Sequence, residues 1–134
     1  MKRNDIAVAQ NRAAVAAAIQ GEIESIVLAD EINLEEIEKD IANRQPIMKP
    51  EKPTHFDRVY DSIGGDIRTL ADPTVVRFVV SYYEHYRIIP AADNWDMRNT
   101  DQKIERLEVR ADVLRASIQL GKEAIKNLGA ISGA

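Results

Sequence analysis

The sequence predicts an all-α protein. The expected layout is an antiparallel four-helix bundle with two long outer helices (about residues 5–43 and 100–128) and two short central helices (about 54–71 and 73–87). Three observations predict it. Apolar residues recur at three- and four-residue steps in the first and last segments, the spacing of one helix face. The prolines Pro46, Pro50, Pro53, Pro73 and Pro90 fall between those segments or at a helix start. Valines and aromatics gather in one central stretch instead of alternating along several short runs, which argues against a sheet. A chain of 134 residues is one domain, 1–134, long enough to bury a core without staples.

In the first helix, Ile19, Ile23, Ile26, Asp30, Leu34, Ile37 and Ile41 form a heptad-like seam, with Asn33 as an alternative at the Leu34 step. Asp30 interrupts it and Ile32 lies off it, so the sequence favours a break or phase shift there over a buried functional carboxylate. Unbroken, this helix would be roughly 60 Å long at 1.5 Å per residue, more than a compact domain of this size spans. The expectation is therefore a break near Asp30 or an N-terminal half that projects and packs on a second copy. The Ala-rich run from Ala13 to Ala18 would permit close helix approach in such a homodimer.

Residues 44–53 read as a solvated linker, because each proline biases its predecessor to extended backbone. Thr54 and Asp57 form a capping pair for the second helix, whose face is Phe56, Val59, Tyr60, Ile63, Ile67 and Leu70. Asp72 caps the third helix and Pro73 takes its first position. That helix is apolar nearly all round, with Arg77, Ser81 and Glu84 as its polar stripe, and belongs in the middle of the fold. Residues 88–99 are a loop in which Trp95 reads as a lid over the bundle end. The fourth helix starts at Asn99 or Thr100. It carries Ile104, Leu107, Ala111, Leu114, Ile118, Gly121, Ile125 and Leu128 on one face, followed by a frayed tail at 129–134.

Composition excludes several chemistries. There is no cysteine, hence no thiolate nucleophile and no Cys-based metal site. The net charge of −4 lacks the basic footprint of a nucleic-acid binder. Neither His55 nor His85 follows a Glu at the spacing of a carboxylate-bridged metal site in a helix bundle. No Gly-x-Ser-x-Gly turn is present. No run reaches the ~20 apolar residues of a membrane span. No signal peptide is visible, although Lys2, Arg3 and Arg12 make the N-terminus basic. No cofactor, metal or catalytic constellation is expected, and the acids between Glu22 and Asp40 read as a solvated face.

What remains is a candidate interaction or ligand surface. Gly64 and Gly65 together cost about 2 kcal/mol of helix propensity, which points to close packing of another helix or, less readily, to a local break beside a ligand. Tyr82, Tyr86, His85 and Trp95 complete the set. Arg12-Ala13-Ala14-Val15 through Glu22-Ile23, Val59-Tyr60-Asp61-Ser62-Ile63-Gly64, and Val75-Val76-Arg77-Phe78 through Tyr82-Tyr83 resemble text in a loose group of uncharacterised bacterial proteins. In that group an N-terminal membrane span leads into a helical soluble domain. The resemblance implies an anchor upstream of Met1 and no activity. The expected function is a non-catalytic helical interaction or scaffold domain, homodimeric through its first helix or docked on a protein partner, with membrane attachment only through a segment outside this chain. The alternative is a small-molecule sensor with its site near Gly64-Gly65 and Tyr82/Tyr86.

Overall fold

A computed structural model describes residues 3–52, 57–70 and 72–133. All regular structure among them is helical. Helix α1 spans Arg3–Asn43, and α2 spans Arg58–Ile63 and tightens into a 3-10 segment at Gly64–Leu70. Helix α3 spans Pro73–Arg87, a 3-10 turn covers Trp95–Met97, and α4 spans Thr100–Ser132.

The long helices α1 and α4 pack side by side in opposite directions. Arg44 pairs with Asp101 at one end, Glu38 with Arg115 at 3.2 Å further along, and the Ser132 hydroxyl donates to Gln20 Oε1 at 2.9 Å at the other. The seam read from the sequence is the buried one: Ile19, Ile23, Ile26 and Ile37 on α1 meet Ile104, Leu107, Ala111, Leu114 and Leu128 on α4. Gly121 sits at the tightest approach. A Cβ added there would meet Val27 Cγ2 and lie 2.9 Å from Tyr82 Cε1.

The expected break at Asp30 does not occur, since α1 is continuous from Arg3 to Asn43. The seam passes through Asp30 without changing phase. Asp30 is 8% exposed, whereas Ile32, the residue that suggested a shift, faces solvent. Helix α1 ends instead at Arg44, whose φ of 51° is left-handed. The Gln45 amide donates to the Asp40 carbonyl at 2.9 Å and the Arg44 amide to the Ile41 carbonyl at 3.1 Å, a Schellman closure built without glycine.

The second helix also departs from expectation. Its cap at Thr54, with His55 and Phe56, lies outside the described residues. The α-helical part is only Arg58–Ile63, and the tighter 3-10 form begins at Gly64, where two flexible residues weaken the α-ladder. This stretch packs on α1. The carboxylate of Glu22 accepts the Val59 amide at 2.6 Å and the Tyr60 amide at 3.1 Å, and the Arg12 Nε donates to the Thr69 carbonyl at 2.8 Å. Helix α3 begins as its sequence signals. Asp72 accepts from the Thr74 amide at 2.9 Å, and Pro73 needs no acceptor. Asn99 and Gln102 close a reciprocal capping box on α4. That helix runs a turn beyond its expected end, to Ser132, and closes on left-handed Gly133 with φ 80°.

Two apolar clusters result. The larger joins α1 from Val15 to Val27 with Ile67, Leu70, the buried face of α3, and Ile118, Ala124 and Leu128. The second joins Ile37 with Trp95, Ile104, Leu107, Ala111 and Leu114, so this end of the α1–α4 seam is covered by Trp95 from its 3-10 turn and not by the central helices. Among the described residues no helix is long and apolar enough to cross a membrane.

Candidate functional site

Near the end of α3, the linker lies beside the α1–α4 seam and walls one side of a half-open cavity of about 230 Å³. Its walls are Ile26, Asp30 and Ile37 from α1, residues 48–52 of the linker, Tyr86 and Ile89 from the end of α3, and Arg110 and Leu114 from α4. The linker wall is fixed, not loose. The Asp40 carboxylate is buried and accepts the amides of Ile47 at 3.0 Å and Met48 at 2.7 Å. The Pro50 carbonyl accepts the Ala92 amide at 2.9 Å. Proline at 46 and 50 keeps this stretch extended, so it lies across the groove without refolding into helix.

Asp30 dominates the chemistry of the cavity. Its Oδ2 is buried and makes no hydrogen bond within the described residues. Burial raises its pKa from 3.8 to about 6, with the Arg110 charge working against that rise. Desolvation pulls the Arg110 guanidinium below its ordinary value while the Asp30 charge pushes it back, and it stays protonated at any physiological pH. The two charges share the cavity without an ion pair, their N···O separation exceeding 4.0 Å. Arg110 is held by a hydrogen bond from Nη2 to the Pro90 carbonyl. Two further buried hydroxyls, Tyr82 Oη and Ser117 Oγ, also lack a hydrogen-bond partner among the described residues. Burial, and then the Asp30 charge, push the Tyr82 hydroxyl well above the ordinary phenol range.

Of the residues singled out from the sequence, only Tyr86 lines this cavity. Tyr82 is fully buried behind it, against Gly121. His85 is half-buried, with Nδ1 lacking a partner. Trp95 is buried in the smaller cluster, with the Lys103 ammonium 5.5 Å from its ring centre. Gly64 and Gly65 lie in the 3-10 segment, away from the cavity walls.

The sequence reading sets Asp30 aside as a break in the seam in preference to a buried functional carboxylate, and does not single out Arg110 or Glu22 as site residues. A signal for the first was present: a carboxylate standing at a seam position with isoleucines before and after it. Glu22, Asp30 and Asp40 all turn inward, so the acidic stretch of α1 is not uniformly a solvated face. Glu22 also accepts the Tyr83 hydroxyl, and Tyr83 stacks on Tyr60 at 3.9 Å between ring centres. Arg87 pairs with Asp57 at 2.7 Å and with Asp61, locking the end of α3 to the start of α2. Among the described residues no group of acidic and histidine side chains is arranged to hold a metal ion. Compared with family models, with curated proteins and with solved structures, this chain has no match.

Proposed function

We propose that this protein is a helical ligand-binding domain whose small-molecule site is the cavity between α1, the linker and α4. The observation that carries the reading is Asp30: a carboxylate 8% exposed that lines the cavity, with no ion pair and one oxygen without a hydrogen-bond partner among the described residues. A buried acceptor without a donor costs roughly 1–3 kcal/mol. A ligand that donates to the Asp30 carboxylate from the cavity offsets part of the cost of burying it, and the apolar walls add to the binding energy. This retains the sensor alternative read from the sequence but moves its centre from Gly64-Gly65 to Asp30. Amide shifts in an NMR screen of small molecules test it. Hits should shift Asp30, Tyr86 and Arg110 first and should be lost in Leu114→Trp, which fills the cavity. Hits that shift only other regions, or a screen with none, contradict the reading.

A second reading, self-association through α1, has its own support. Ala14, Ala18, Gly21, Ser25, Leu28 and Ile32 alternate at four- and three-residue steps, and all are exposed. They form a second heptad stripe on the face of α1 turned away from α4, with Leu28 and Ile32 the large apolar members at 61% and 56% exposure. In this reading the antiparallel bundle is the protomer, and two protomers join along small residues that let the helices approach closely. Sedimentation of wild type against the double variant Leu28→Glu, Ile32→Glu decides it. The wild type should sediment as a dimer and the variant as a monomer of unchanged helicity, while a wild type that is monomeric at high concentration counts against it.

A further inference from the structure

Resting on the ligand-binding reading, we infer that the cavity takes a small zwitterion with an apolar body, an α-amino acid with a branched aliphatic side chain being the simplest fit. Its ammonium would donate to Asp30 and its carboxylate would accept from Arg110.

Two of the cavity's charges, one of each sign, stand on opposite long helices, held apart. Asp30 comes from α1 and Arg110 from α4, and they stay beyond 4.0 Å of each other. A ligand with a single positive charge satisfies Asp30 but meets the field of Arg110, and a ligand with a single negative charge meets the reverse. A zwitterion answers both, and guanidinium suits a carboxylate in particular because its planar fork can donate twice. The cavity is also lined by the apolar side chains Ile26, Ile37, Ile89 and Leu114, with Asn33 as a neutral polar neighbour. The volume of about 230 Å³ corresponds to roughly eight waters at ~30 Å³ each, room for a small molecule. Lys49, Glu51 and Lys52 stand on the linker side of the cavity, exposed and of mixed sign, so they add no strong preference for a net charge.

The groups that face Asp30 are Arg110 on α4, Tyr82 and Tyr86 on α3, and Lys49, Glu51 and Lys52 on the linker. Asp30, at about 6, titrates between pH 5 and 7 and sets the pH dependence of binding in that window. An ammonium prefers the ionised carboxylate, so affinity should fall about tenfold from pH 7 to pH 5.

Calorimetry on the full chain with three probes tests the inference: L-leucine, 3-methylbutylamine (leucine without its carboxylate) and 4-methylpentanoate (leucine without its ammonium). Leucine should bind at least tenfold tighter than either half-ligand at pH 7. Asp30→Asn should weaken leucine at least tenfold while leaving 4-methylpentanoate as tight or tighter. Arg110→Gln should weaken leucine to the level of the amine, with helicity retained in both variants. If the amine binds as tightly as leucine, or if leucine fails while other compounds from the NMR screen shift Asp30 and Tyr86, the zwitterion is overturned and the ligand site stands. If neither the three probes nor any screened compound binds, both readings fall together.

Discussion

Asp30 is the residue on which the protein's pH response turns. Its carboxyl carries more protons folded than unfolded between pH 4 and 6, because its pKa rises from 3.8 to about 6 on folding. Its contribution to stability is therefore best in acid, falls as pH rises through that window, and is a full penalty of about 3 kcal/mol above it. Asp30→Asn should raise stability at pH 8 by about 1–3 kcal/mol and flatten the slope of denaturation midpoint against pH between 4 and 6. Urea melts across that range check both. Gly121 makes the opposite demand. Ala there gains ~1 kcal/mol of helix propensity, but its methyl would strike Val27 and sit 2.9 Å from Tyr82, so Gly121→Ala should cost a net ~1–2 kcal/mol. At Arg44 the left-handed φ of 51° suits glycine better than arginine. Arg44→Gly should stabilise by roughly 0.5–1 kcal/mol even though it removes the exposed pair with Asp101, a contact worth little.

At the scale of elements, residue periodicity revealed the helices but not their fastenings. Asp72-Pro73 and Asn99 announced the starts of α3 and α4 because those caps are local: the accepting side chain lies two or three residues from the amide it serves. The start of α2 was not legible in the same way, because its cap comes from another helix. Glu22 serves the Val59 and Tyr60 amides and the Tyr83 hydroxyl across long stretches of chain. No spacing rule signals such an acceptor. Glu22→Ala should leave those three donors without it and destabilise by roughly 2–4 kcal/mol. Hydrogen exchange should quicken in α2 and the 3-10 segment before it quickens along the α1–α4 seam; uniform quickening would contradict Glu22 as a local fastening. The Gly64-Gly65 pair marks the change from α to 3-10 winding, where the sequence reading favours close packing of another helix over a local break.

Over the whole molecule, the two long helices and their buried seams were readable from apolar spacing, since each needs only one periodic face. The cavity was not. It arises where three unrelated events coincide: α3 stops at Arg87, Asp40 and Pro50 hold the linker across the groove, and Asp30 and Arg110 reach the same space from opposite helices. Each is visible in the sequence as a residue, but their meeting is tertiary. Asp30 was read as a disruption of the seam because a carboxylate inside a core is expensive. The fold accepts that expense at the one place on the seam where the apolar clusters part and Arg110 supplies an opposing charge. The most direct test is NMR titration of the Asp30 side-chain carboxyl carbon in the free protein. A midpoint near 6 that moves up in Arg110→Gln is the expected result. A midpoint near 3.8, unchanged by that substitution, would mean that Asp30 is solvated and that the cavity does not hold the charge on which ligand binding depends.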